Sequence, residues 1–254
     1  MGDEAVTYAE TGGVATLVLN RPLARNAIDS ALAAALHAGL DRAEASKSVR
    51  VVLITGADPA FCAGLDIKEF TRTGRPPEGA TSAIARVGEL TKPTIGAVNG
   101  PVATGGLELA LALDLLVASD RARFADTHAS VGILPGGGMS ARLPRAVGRR
   151  LALDMSFTGR TLSAAEALAH GLVSRVVPHA ELLAVAHGMA ETIAGHDPFV
   201  VRGLRSLYRH SADLSLPAAL EHESAERERR RAAGNQLVPD SPIANRPAVP
   251  GGRG

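Results

Sequence analysis

Phe61-Cys62-Ala63-Gly64-Leu65-Asp66-Ile67-Lys68-Glu69 follows the β-branched run Val51 to Thr55, and Asn99-Gly100-Pro101-Val102-Ala103-Thr104-Gly105-Gly106-Leu107-Glu108 follows the run Thr94 to Val98. Each is a turn-rich segment with glycine-freed backbone at the end of a strand. Two such segments can aim two backbone N–H groups at one carbonyl oxygen, an arrangement that stabilises an enolate or a tetrahedral oxyanion. Gly105 to Leu113 reads as an apolar helix, whose N-terminal dipole adds about half a positive charge at that point. Glu108 stands one turn in and projects a carboxylate beside the same place.

Outward from these segments, short β-branched runs alternate with helical stretches: Val14 to Leu19, a helix from Ser30 to Glu44, Val51 to Thr55, Thr94 to Val98, the Gly106 helix, and Leu115 to Ala118. Strand-then-helix alternation predicts an α/β layered fold, and the strand-turn-helix units form a weak internal repeat. Ser163-Ala164-Ala165-Glu166 is a capping box opening a further helix that Gly171 is placed to end. Thr73 to Gly79 reads as a mobile loop beside the glycine segments, positioned to act as a lid. From Pro198 the chain changes character, with helices expected over Phe199 to Tyr208 and Pro217 to Ala233. Glu223 with Arg227 and Glu226 with Arg230 stand at i,i+4, so the arginine run 227–231 reads as a solvated helix face. Three segments result: a core over 1–197, a helical region over 198–233, and a proline- and glycine-rich tail over 234–254 expected to be poorly ordered.

Composition narrows the class. The 254 residues are 46% hydrophobic, 21% charged and only 3% aromatic with no tryptophan, so the core is aliphatic. A net charge of +1 gives no electrostatic reason to expect nucleic acid or an anionic membrane as partner. The single cysteine, Cys62, excludes an intramolecular disulfide and reads as a small core residue. Met1-Gly2-Asp3-Glu4 is acidic and unlike a signal peptide, so the expected location is the cytoplasm. Glu108 and Asp114 interrupt the longest apolar run, and no membrane span is expected. The histidines lack a two-ligand spacing, so no metal is expected, and no dinucleotide, Walker or Gly-x-Ser-x-Gly motif is present.

The two glycine segments occur with Arg21-Pro22, Asn26-Ala27-Ile28, Asp114, Phe124, Gly132-Ile133-x-Pro135-Gly136, and Thr158-Gly159-Arg160 through Gly171-Leu172-Val173. In this order the set resembles the enoyl-CoA hydratase/isomerase (crotonase) superfamily. The resemblance implies a ββα spiral core with a C-terminal helical trimerisation region, and a homotrimer or dimer of trimers. It also implies an acyl-CoA thioester substrate, with no cofactor beyond the coenzyme A of the substrate. The implied activity is that of an enoyl-CoA hydratase-like lyase. Its rivals are an isomerase, hydrolase or decarboxylase of the same superfamily, or an acyl-CoA-binding protein without chemistry.

Carried over residue by residue, the family pattern implies oxyanion donors at the N–H groups of Leu65 and Gly105. It implies coenzyme A contacts along Leu23, Ala24 and Arg25 and along Ala63, Leu65, Asp66, Ile67 and Lys68. Arg25 and Lys68 are either phosphate partners or caps of surface turns. Glu108 matches the first of the family's two glutamates. The position of the second, counted from Phe124, is occupied by His128, the main departure from the pattern. A Glu108/His128 pair could share a water, and histidine can serve as acid or base near neutral pH. The alternative is a hydrogen-bonded pocket or trimer-contact histidine. Asp126 is a further acid–base candidate, which strand alternation would point with His128 or toward solvent. Pro135-Gly136-Gly137-Gly138, before a helix over Met139 to Ala146, supplies another helix N-terminus nearby. The C-terminal basic residues usual in the family are eroded here.

Overall fold

Val51–Gly56 is buried along its whole length, as a central strand of a parallel sheet with both faces covered must be. The structure is a computed structural model and describes residues 4–232 and 234. Its strands are β1 (Val6–Thr11), β2 (Val14–Leu19), β3 (Val51–Gly56), β4 (Thr94–Val98), β5 (Pro101–Ala103), β6 (Leu115–Ser119), β7 (Arg123–Ala125), β8 (Thr161–Ser163) and β9 (Arg175–Val177). The helices are α1 (Ser30–Ala45), α2 (Ile67–Thr73), α3 (Ala80–Glu89), α4 (Gly105–Ala112), α5 (His128–Val131), α6 (Met139–Val147), α7 (Arg149–Thr158), α8 (Ala164–Ala169), α9 (Leu182–Ala194), α10 (Pro198–Ser211) and α11 (Leu216–Ala232).

The large sheet has the order β1-β2-β3-β4-β6-β9, and the small one β5-β7-β8. Side-chain alternation along β3 divides the core. Val51 and Leu53 pack with Ile95, Ala97 and Val117 under α9, while Val52 and Ile54 join the larger cluster on the other face. Only β1 with β2 and β7 with β8 pair antiparallel. The remaining pairs are parallel.

The weak sequence repeat has a structural counterpart. β4 lies in the large sheet, β5 in the small one, and α4 closes the unit; β6, β7 and α5 repeat the pattern. The β3 unit joins the small layer through single bridges, Cys62 to Val102 and Ile28 to Leu65. This is the ββα spiral that the motifs imply. β1, which the sequence reading does not assign, is a partly solvated edge strand turned back by Gly12 and Gly13 at φ +60° and +82°.

The capping box at Ser163 is formed, and Gly171 follows α8 at φ +76° with its N–H on the Leu168 carbonyl. The backbone N–H and hydroxyl of Ser163, with Arg160, hold the Glu166 carboxyl down at about 2, below its ordinary 4.5. A depressed carboxyl contributes stability that is fully present above about 4.5 and lost as pH falls toward about 2. Ser163 is the N-cap of α8, and Ser163→Ala, by removing that cap, is expected to cost about 1 kcal/mol at neutral pH. The difference in melting temperature from wild type should shrink across that acid window, as calorimetry at stepped pH would record.

The chain separates into two units between Arg202 and Gly203, inside α10 and not at the expected 197/198 boundary. α10 opens at Pro198, which suits a first helical position, and runs unbroken across 202/203. In the second unit Gly203 leaves room for the Arg230 guanidinium, which pairs with Glu226 one turn earlier on α11. Leu204, Tyr208, Leu216 and Leu220 stand exposed there. The expected tail over 234–254 lies outside the described residues except for Gly234. No helix among the described residues is long and apolar enough to cross a membrane.

Candidate active site

The two glycine segments are held together by backbone. The Phe61 N–H donates to the Pro101 carbonyl (3.1 Å) and the Ala103 N–H to that of Cys62 (3.0 Å). Gly106 permits the close approach of α4: a Cβ there would lie 2.2 Å from the Cys62 carbonyl oxygen. Gly64, at φ +104°, turns the chain so that its carbonyl accepts from Ile28 (2.7 Å) and the next amide but one, Asp66, donates to Ile28 (2.9 Å). A parallel bridge of this kind uses the groups on either side of Leu65 and leaves the Leu65 N–H free. Gly105 opens α4, where an N–H has no partner within the helix. Among the described residues neither amide donates to a protein acceptor. They are neighbours: a Cβ built on Gly105 would lie 3.4 Å from the Leu65 nitrogen.

Thr104 sets the direction of the Gly105 amide. It sits at φ +50°, ψ −114°, a conformation that costs a non-glycine residue on the order of 1–3 kcal/mol. Three contacts pin it there. Its N–H donates to the Ala125 carbonyl (3.0 Å), its hydroxyl bonds that of Thr127, and the Thr127 N–H reaches the same oxygen at 3.4 Å.

Glu108 is buried within α4, and its Oε1 accepts from the N–H groups of Gly137 (2.8 Å) and Met139 (3.1 Å). The Pro135 to Gly138 turn is thus a clamp on Glu108 at the start of α6. Oε2 faces His128 Nε2 at 4.0 Å. His128 is buried too, and its Nδ1 lies 2.6 Å from Asp126 Oδ1. Asp126 points toward His128, one of the two directions expected, but strand alternation is not the reason. β7 ends at Ala125 and α5 begins at His128, so Asp126 lies in neither element and folds back onto the histidine. Ser156 of α7, which the sequence reading missed, donates to Asp126 Oδ2 at 2.5 Å.

The clamp gives a direct prediction. A Cβ on Gly137 would lie 2.7 Å from Glu108 Oε2 and 2.9 Å from its carboxyl carbon. Gly137→Ala is expected to push the carboxylate off its N–H donors and lower kcat by about 10-fold or more, which steady-state kinetics beside a melting curve would measure.

The other site candidates divide. Asp66 caps α2, accepting from the Lys68 and Glu69 N–H groups, and pairs with Arg21 at 2.9 Å. Burial pushes its carboxyl up, but the Glu69 N–H and Arg21 outweigh this and hold it below the ordinary value. Its side chain is thus committed to structure. Arg25, in left-handed conformation, ends a short turn over Pro22–Ala24, and its carbonyl accepts from Ala63 (3.0 Å). That bond joins the 23–25 and 63–68 strips. Leu23 is fully exposed and Ile67 is 61% exposed, an unusual placement for apolar side chains; Arg25, Ala63 and Lys68 are exposed and Ala24 half-buried. Asn26, buried, sews the strip to the β3 turn through the Ala57 (2.8 Å) and Ala60 (2.7 Å) carbonyls. The loop read as a lid is tied by the Glu78 N–H on the Ser30 hydroxyl (2.9 Å). Burial pushes the Cys62 thiol up to about 12, which suits a core residue and not a nucleophile. No cluster of three or more metal-ligating side chains occurs among the described residues.

The two-sheet spiral thus carries two adjacent amides without protein acceptors and, one turn along α4, a carboxylate facing an imidazole, groups able to hold a carbonyl-derived oxyanion and to move protons. Residues 9–232 match the family model described as enoyl-CoA hydratase/isomerase. The chain belongs to that family. A protein of Dictyostelium discoideum described as a probable mitochondrial enoyl-CoA hydratase is 36% identical over 220 residues, 85% of this chain and 79% of that one. A carnitinyl-CoA dehydratase of Proteus mirabilis is 38% identical over 211 residues, covering 81% and 80%. The crystal structure of an enoyl-CoA hydratase from Mycobacterium avium is 47% identical with a TM-score of 0.75, covering 92% of this chain and all of that one. That of a Bacillus anthracis enoyl-CoA hydratase is 34% identical with a TM-score of 0.84, covering 88% and 90%.

Proposed function

We propose that the protein is an enoyl-CoA hydratase-like lyase that adds water across the double bond of a 2-enoyl-CoA thioester. The observation that carries this reading is the pair of adjacent amides at Leu65 and Gly105 without protein acceptors, with Glu108 one turn along the same helix and facing His128. The thioester oxygen accepts from both amides, which hold the enolate as it forms. Water bonds to the β-carbon, the π pair moves toward the thioester, one proton leaves the water and one arrives at the α-carbon. Glu108 Oε2, whose partner oxygen is occupied by two N–H donors, takes the water's proton and delivers it to the α-carbon, while His128 Nε2 accepts the water's other hydrogen. The strips around Leu23 to Arg25 and Ala63 to Lys68 take the coenzyme A portion, with no further cofactor. Names borne by relatives, the dehydratase and hydratases alike, support thioester hydration chemistry.

Exposed apolar side chains on α10 and α11 support assembly into trimers or dimers of trimers, and the cytoplasm is the proposed location. A histidine where the family has a glutamate favours one second reading, hydrolysis of the thioester by water activated at His128. A panel of saturated and 2-unsaturated acyl-CoA thioesters, with products followed by mass spectrometry, tests the assignment. A mass gain of one water with the thioester intact is expected. Release of free coenzyme A from saturated substrates, with no hydrated product, would replace hydration by hydrolysis.

A further inference from the structure

We propose that Asp126, braced by Ser156, is a positioning residue that fixes the tautomer of His128 and thereby seats the water shared by His128 and Glu108. The inference rests on the hydratase-like reading of the site and deepens it.

The argument is a count of donors and acceptors. Asp126 Oδ1 receives the His128 backbone N–H at 3.1 Å, an obligate donor, so that oxygen is an acceptor. The ring nitrogen 2.6 Å from the same oxygen must then carry the proton. Oδ2 is held by the Ser156 hydroxyl at 2.5 Å. With Nδ1 protonated, the neutral ring presents a lone pair at Nε2. That lone pair faces Glu108 Oε2 across 4.0 Å, and Oε1 is already turned away onto the Gly137 and Met139 amides. Two acceptors facing each other repel unless a donor lies between them. A water at about 2.8 Å from each would donate one hydrogen to each and turn its own lone pairs to the substrate. The opposite tautomer would put an N–H at Nε2, pair the ring directly with Glu108 and exclude that water. Asp126 therefore acts at a distance from the substrate, through the imidazole.

Nitrogen-15 NMR of histidine-labelled enzyme tests this above the pH at which the ring loses its second proton, with the His128 signals assigned by their absence in His128→Gln. The proton is expected on Nδ1 in wild type, lost from that position in Asp126→Ala and retained in Asp126→Asn, whose amide oxygen can still face both N–H groups. In parallel, Asp126→Ala should lower kcat with crotonyl-CoA by about 10²-fold and leave KM within about threefold, with partial recovery in Asp126→Asn. Ser156→Ala, a milder variant, should lower kcat several-fold with an unchanged melting profile. A proton on Nε2 in wild type would overturn the proposal. So would a folded Asp126→Ala that keeps the Nδ1 proton or wild-type kcat, or, if that variant does not fold, an Asp126→Asn that keeps kcat while losing the Nδ1 proton. An enzyme that turns over no enoyl thioester yet shows the Nδ1 proton, lost in Asp126→Ala, would overturn the hydratase reading and leave the tautomer assignment standing.

Discussion

Glu108→Gln is expected to lower kcat with a crotonyl-CoA-type substrate by about 10²-fold or more, the contribution of a positioned acid–base group. The substitution is nearly isosteric. A glutamine oxygen can keep the Gly137 and Met139 N–H groups, so folding and coenzyme A binding should hardly change. What is lost is the oxygen facing His128, because an amide nitrogen cannot accept a proton from water. Steady-state kinetics with a melting curve checks this, and a rate within threefold of wild type would remove Glu108 from the proton path. His128→Ala should also impair turnover. The family spacing suggests that His128→Glu restores the usual pair, but the structure reverses that expectation. A carboxylate at 128 would stand beside both Asp126 and Glu108, and three like charges in a buried site repel. The single variant should fall below wild type, and adding Asp126→Asn should raise its activity.

Gly105→Pro is expected to lower kcat by about 10²- to 10³-fold, whereas Leu65→Ala is expected to be tolerated. Proline at the first position of α4 removes the N–H that the oxyanion would use, and that N–H serves no helix bond. Loss of one such donor raises the barrier by about 3–4 kcal/mol. At Leu65 the backbone does the work, and an alanine keeps it. Circular dichroism on both variants separates chemistry from folding. Equal damage from the two substitutions with the fold intact would show that the Leu65 side chain, and not its amide, matters.

Much of this was legible from sequence because it is written in local pattern. β2 and β4 fall where the β-branched runs stop and start, and β3 and β6 each extend one residue beyond their runs. His128 emerged from counting along a motif. The short strands of the small sheet were not legible, since three residues carry too little alternation to stand out. Asp126 was visible as a residue type but not as a partner, because its role depends on a helix starting two residues later and on Ser156, 30 positions away. The clamp on Glu108 joins positions 29 and 31 residues apart through backbone N–H groups, which leave no side-chain signature.

The close approach of Gly106 to the Cys62 carbonyl sets the Leu65 and Gly105 amides side by side chiefly through main chain, while the candidate proton-handling groups are side chains borne by α4 and α5. Substituting the side chains at 126, 128 and 156 therefore leaves the backbone contact that places the two amides undisturbed. Laboratory diversification confined to 126, 128 and 156, with 64, 105 and 106 left untouched, is the economical way to search this scaffold for new reactions of thioester enolates.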